Sequence, residues 1–285
     1  MAETTQPFFI VSSGRSGTAM MERLFAVFPQ VDMHHEYMVH HVQPVACGYR
    51  MGVLDEQQTI DVLRLTHVAA VHYSTAPFWG DSSNKLSWLI PQLNELFPTA
   101  RFVHLVRDGR KVASSYFHKL GTECYDDAST ATLQAFYDAD GELPAPPPEK
   151  KYWWPLPRRD DPMADTFRSF DQFERIAYHW AEINRVIMRD LDAVPWERKH
   201  RVRLEDLVTH GQERQRLLNF LRLPWDDRVA SLLARPHNVN RPEDFPLRPK
   251  QTEQFWQIAG DAMREFGYHE RPEYRVAYRR ALEPN

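Results

Sequence analysis

An apolar strand that runs straight into a small, glycine-bearing turn constrains this chain more than any other feature. Phe8-Phe9-Ile10-Val11 reads as a buried strand and Ser12-Ser13-Gly14-Arg15-Ser16-Gly17 as a tight turn. From Thr18 the apolar residues Ala19, Met20, Leu24, Phe25, Val27 and Phe28 recur at helical spacing until Pro29 stops them. The turn has the build of an anion cradle. Its backbone N–H groups and the positive end of the following helix converge on one point, where Arg15 adds a charge and Ser16 and Thr18 add hydroxyls. The Walker A loop requires a Gly-Lys pair and more widely spaced glycines, and neither is present, so the lysine and the magnesium-holding hydroxyl of that motif are missing. Taken alone, such a turn also joins strands to helices without binding anything.

The rest of the chain narrows the class. A formal charge of −4 over 285 residues argues against a general nucleic-acid binder. The two cysteines, Cys47 and Cys124, are too few for a disulfide framework and lack metal-ligand spacing. The segment before Phe8 carries no basic leader, and no stretch approaches the roughly 20 apolar residues of a membrane span, so a soluble cytoplasmic protein is expected.

A second strand, Arg101-Phe102-Val103-His104-Leu105-Val106, also ends in charge, Arg107-Asp108-Gly109-Arg110, before a helical stretch from Lys111 to Lys119. Two donor-rich strand-to-helix junctions are what a parallel sheet offers a ligand lying across its carboxyl edge. Helices are expected over Asp55–Ala70, Leu86–Phe97, Phe170–Leu191, Glu213–Leu221 and Glu253–Phe266, with a further strand at Arg201–Leu204. Between Gly121 and Pro162 prolines crowd the sequence, which predicts an irregular insertion anchored by Tyr152, Trp153 and Trp154, serving as a lid or acceptor loop or as packed surface. A late basic loop holds Arg241, Arg248 and Lys250. With no repeat and no linker, residues 1–285 read as a single α/β domain: a central parallel sheet of the P-loop NTPase type, flanked by helices.

In their order these elements resemble the sulfotransferases that use 3′-phosphoadenosine 5′-phosphosulfate (PAPS). Arg15-Ser16-Gly17-Thr18 is similar to that family's loop for the 5′-phosphosulfate, and Arg107 with Ser115 to its 3′-phosphate pair. Leu96 to Leu105, Leu204-Glu205-Asp206-Leu207, Ile258-Ala259-Gly260 and Phe266-Gly267-Tyr268 resemble flanking elements. The resemblance implies a PAPS-dependent sulfotransferase releasing 3′-phosphoadenosine 5′-phosphate (PAP), with Gly14, Arg15, Ser16, Gly17, Thr18, Ala19, Arg107, Ser115, Arg248 and Lys250 binding the nucleotide and no metal. It also implies a small-molecule or saccharide acceptor sulfated on a hydroxyl, less readily on an amine. Two departures are visible: Leu204 stands where a tyrosine is frequent, and Gly80-Asp81-Ser82-Ser83-Asn84 replaces a lysine-bearing element.

In-line sulfuryl transfer needs a base facing the acceptor. Glu36, in His34-His35-Glu36-Tyr37, lies where one branch of the resembled families places its base, and partial burial is expected to raise its pKa; His35 and His72 are alternatives. His104, within a strand, is expected in the core. His34, His35, His40 and His41 lie close together, but neighbouring strand residues point oppositely and no His-Glu-x-x-His occurs. Two other readings stay open: a small-molecule P-loop kinase using ATP and magnesium, and a catalytically silent nucleotide-binding module.

Overall fold

The computed structural model describes residues 5–139, 142–233 and 244–273. Five strands, β1 (Gln6–Val11), β2 (Val31–His35), β3 (Phe78–Ser82), β4 (Arg101–Val106) and β5 (Lys199–Arg203), form one all-parallel sheet in the order β2-β3-β1-β4-β5. The helices in chain order are α1 (Thr18–Phe25), α2 (Val39–Met51), α3 (Glu56–Leu63), α4 (Ala69–Tyr73), α5 (Ile90–Leu96), α6 (Gly109–Lys119), α7 (Asp127–Asp138), α8 (Ala164–Arg168), α9 (Gln172–Asp192), α10 (Leu204–Thr209), α11 (Gly211–Leu221), α12 (Arg228–Leu233) and α13 (Pro249–Glu265). No described helix is long and apolar enough to cross a membrane.

Both faces of the sheet are covered, as parallel strands require. Along β1 the side chains alternate: Phe9 and Val11 pack with Trp79, Phe102 and the apolar faces of α5 and α9, while Phe8 and Ile10 pack with α1, α11 and Val103. A third cluster joins α6, α7, α9 and α13 with Trp153 and Trp154 of the proline-rich segment.

The strand order places the ligand edge. After β1 the chain turns toward β3 and β2; after crossing back it builds β4 and β5 on the other side. The loops leaving β1 and β4 therefore diverge, opening a crevice at their carboxyl ends. The two charged junctions of the sequence are these loops.

Some elements differ from expectation. The segment 121–162 is not irregular throughout, because Asp126 caps α7 through the Ser129 N–H before the prolines begin. The helix expected over Asp55–Ala70 is α3 and α4 joined by a π-helical turn at Arg64–Val68. β2, β3 and α2 are additional, and α2 tolerates Pro44 within its span. Arg241 lies outside the described residues.

Candidate active site

The turn after β1 closes on itself before it can close on a ligand. The Ser12 hydroxyl accepts the Gly14 N–H at 3.1 Å, and the Ser12 amide and carbonyl are bridged by the Ser87 hydroxyl, both at 2.9 Å. Ser16 is fully buried, and its hydroxyl lies 3.0 Å from that of Ser13 and donates to the Gly14 carbonyl at 3.1 Å. This corrects one expectation: the Ser16 hydroxyl braces the loop, leaving its backbone to face a ligand. Gly14 (φ +77°), Arg15 (φ +52°) and Gly17 (φ +98°) hold left-handed conformations that curl the chain around the cradle.

Gly14 has no room for a side chain. A Cβ there would lie 2.0 Å from the Tyr116 hydroxyl oxygen, which donates to the Ser13 carbonyl at 3.1 Å. Strain at positive φ and overpacking together predict that Gly14→Ala loses about 2–4 kcal/mol, read from urea unfolding. A loss below about 1 kcal/mol would show a looser loop than this.

The two junctions meet directly. The Arg15 Nε donates to the Ser115 hydroxyl on α6 at 2.9 Å, and the Arg107 guanidinium donates to the Arg15 carbonyl at 2.7 Å. Behind Arg107, the Glu205 carboxylate accepts the Asp108 N–H at 3.0 Å and the Tyr268 hydroxyl at 2.8 Å, which fixes the start of α6. Leu204, in place of the frequent tyrosine, abuts Gly17.

A cleft of about 280 Å³, open to solvent, lies over this edge. Gly14, Arg15, Gly17, Thr18, Ala19, His35, Glu36 and Arg107 line it, joined by Asn84, Lys85, Tyr116, Glu123, Lys150 and Trp154. Arg248 and Lys250 are exposed at the start of α13 and do not line it, and exposed His72 on α4 does not either. His35 turns its Nδ1 to the Ser82 carbonyl at 2.8 Å, and His34 pairs with Asp32 at 3.1 Å. Among the described residues no three His, Cys, Asp or Glu side chains converge as metal ligands would. His104 is buried in β4 against Asn184 at 3.0 Å, and burial lowers its pKa to about 4.

Glu36 ends β2 at φ +53°, one of two non-glycine positive-φ residues in the cleft, the other being Arg15. Such strain persists where the surroundings over-determine it. Here Lys85 donates to Oε1 at 2.9 Å and Lys150 donates to Oε2. Burial pushes the Glu36 pKa up, as expected, but the two ammonium groups outweigh it and hold the carboxyl well below the usual range. The expected net rise is thus reversed. Burial lowers the Lys85 pKa, opposed by the Glu36 carboxylate, and the Asn84 side-chain oxygen accepts a second hydrogen bond from Lys85 at 2.7 Å.

Lys85 was not legible as a site residue. It stands three residues past the end of β3 at Ser82, in the segment that leaves the strand's carboxyl end, as Arg15 and Arg107 stand in those that leave β1 and β4. Recognising β3 would have revealed it, but Gly80 and Asp81 disguise that strand. Lys150 comes from the proline-rich segment, whose Trp154 packs under the Lys85 ammonium, 5.4 Å from nitrogen to ring centroid. Trp153 and Trp154 are both buried, with their indole N–H groups on the Pro147 and Glu123 carbonyls at 2.7 Å.

The parallel sheet thus carries donor-rich turns at two adjacent junctions, after β1 and after β4. Residues 7–141, which carry both junctions, match the model of the sulfotransferase family. That segment is thus similar to the sulfotransferase family. Among solved structures the fold is similar to the sulfotransferase domain of the Synechococcus PCC 7002 olefin synthase, with 15% identity, a TM-score of 0.50, and 95% of this chain and 97% of that one covered. A sulfotransferase from Alicyclobacillus acidocaldarius matches with 16% identity, a TM-score of 0.49, and 96% and 99% covered. The sulfotransferase domain from the curacin biosynthetic pathway matches with 15% identity, a TM-score of 0.47, and 89% and 97% covered. No curated protein matches this sequence.

Proposed function

We propose that this protein transfers a sulfuryl group from PAPS to a hydroxyl of a small-molecule or saccharide acceptor. One observation supports the reading: Arg15 and Ser115, a hundred residues apart, are hydrogen-bonded, and Arg107 is bonded to Arg15, so the two junctions are in direct contact, although Ser115 is buried and does not itself line the cleft. A nucleotide phosphorylated at both the 3′ and 5′ positions needs that pair, whereas a single cradle suffices for a simple triphosphate. Arg15 and the loop amides take the 5′-phosphosulfate, while Arg107 and Ser115 take the 3′-phosphate.

In the step itself, the acceptor oxygen forms a bond to sulfur as the bond from sulfur to the 5′-phosphate oxygen breaks. The electron pair leaves with PAP, where Arg15, Lys85 and the loop N–H groups stabilise the developing charge. The acceptor proton passes to the Glu36 carboxylate, which lines the cleft with one oxygen on Lys85 and the other on Lys150. Incubation with labelled PAPS and a panel of hydroxyl and amine acceptors tests this. Label should move to a hydroxyl acceptor and PAP should appear in equal amount; phosphoryl transfer from ATP instead would identify a kinase.

A further inference from the structure

Each Glu36 oxygen accepts from one ammonium group, which leaves it a second lone pair for a proton but weakens it as a base. The two cations are not equally able to leave. Lys85 has 8% of its side chain exposed and is fixed by Asn84 and the face of Trp154. Lys150 is 40% exposed, sits on a short 3₁₀ turn at Lys150–Tyr152, and meets Glu36 from the solvent side. The other ionisable side chains lining the cleft are Arg15, Arg107, His35, Glu123 and Tyr116, and of these only Glu123 is an acid. An ammonium drawn off Glu36 needs a new anion; the nucleotide's anions are assigned above to Arg15, Lys85, Arg107 and Ser115, which leaves an anion on the acceptor for Lys150.

We propose that Lys150 is an acceptor-recognition residue that exchanges Glu36 for an anionic group on the acceptor, so that the acceptor is a hydroxyl compound bearing a carboxylate or similar anion near the reacting oxygen. This rests on the sulfotransferase reading given above. The exchange has two consequences. The acceptor's anion is neutralised at the rim, and Glu36 loses one of the two cations that suppress its basicity as the reacting hydroxyl arrives. A neutral acceptor leaves Lys150 in place and meets a weakened base.

The test uses hydroxy acids of graded length, each paired with its methyl ester, as acceptors for labelled PAPS, with wild type, Lys150→Met and Lys150→Arg. Wild type should favour each acid over its ester by about tenfold or more in kcat/KM, the scale of one charge-assisted hydrogen bond. Lys150→Met should bring the ratio to about one by slowing the acids, and Lys150→Arg should restore part of it. An acid preference that survives Lys150→Met, sulfation confined to neutral alcohols, or no sulfation of any hydroxy acid overturns the proposal. Calorimetric PAP binding to the same three proteins separates the two failures. If PAP binds all three equally while no acid preference exists, this inference fails alone; if PAP does not bind wild type, the sulfotransferase reading fails with it.

Discussion

Arg15→Ala should lower kcat for the proposed sulfuryl transfer by about 10²–10³-fold, the usual cost of removing one preorganised donor from developing negative charge. Most of the loss belongs to the transition state, because charge on the bridging 5′-phosphate oxygen grows only as the bond to sulfur breaks. Binding of PAP weakens as well, since Arg15 Nε also orients the Ser115 hydroxyl. The fold should survive. Alanine at φ +52° is no worse than arginine there, and the loop keeps its Ser12, Ser13 and Ser16 bonds. Arg15→Lys retains the charge but not the planar fork, so it should fall between the two in kcat. Normal turnover by folded Arg15→Ala would remove the cradle from the chemistry.

The second large effect is at Glu36. Glu36→Gln keeps the shape and removes the acceptor for the proton, which should reduce kcat by about 10²–10⁴-fold. PAP affinity should not weaken, because the substitution takes a negative charge out of a cleft that binds anions. Unchanged kcat would transfer the role to His35, which lines the same cleft. Stability gives an independent check through pH. The folded pKa is depressed, so the ion pairs contribute fully above the unfolded value of about 4.3 and are lost as pH falls through the folded one. Urea unfolding should therefore show wild type more stable than Glu36→Gln at neutral pH, with the difference closing in acid.

The parts of the site that were legible in the sequence are those whose chemistry is local. The cradle announces itself because a strand, three left-handed positions and a helix start lie within a dozen residues, and Arg107 and Ser115 lie on one strand-to-helix junction. Strands rich in apolar residues were equally visible: β1 and β4 are buried on both faces, β1 carrying the run Phe8–Val11 and β4 an apolar run broken only by His104 after Arg101. β2 was hidden because it is an edge strand carrying Asp32, His34 and His35, and α2 because Pro44 interrupts its pattern.

What the sequence could not supply is electrostatics between distant segments. Glu36, Lys85 and Lys150 come from the ends of β2 and β3 and from the proline-rich segment, and nothing in their spacing predicts that two lysines meet one carboxylate. The pKa of Glu36 was consequently misjudged in direction: burial was foreseen and the cations were not. Arg248 and Lys250, read from the order of a basic loop, stand exposed at the start of α13 and outside the lining of the cleft.

The most direct measurement of the central claim is a calorimetric titration of the protein, in chelator, with PAP and separately with ATP, followed by ATP with magnesium. PAP should bind in chelator to one site, and Arg107→Ala should weaken it by about 10–100-fold, the cost of a charged phosphate contact. ATP should bind weakly, with no gain from magnesium. Tight magnesium-dependent binding of ATP together with no binding of PAP would contradict the account and make the cleft a triphosphate site.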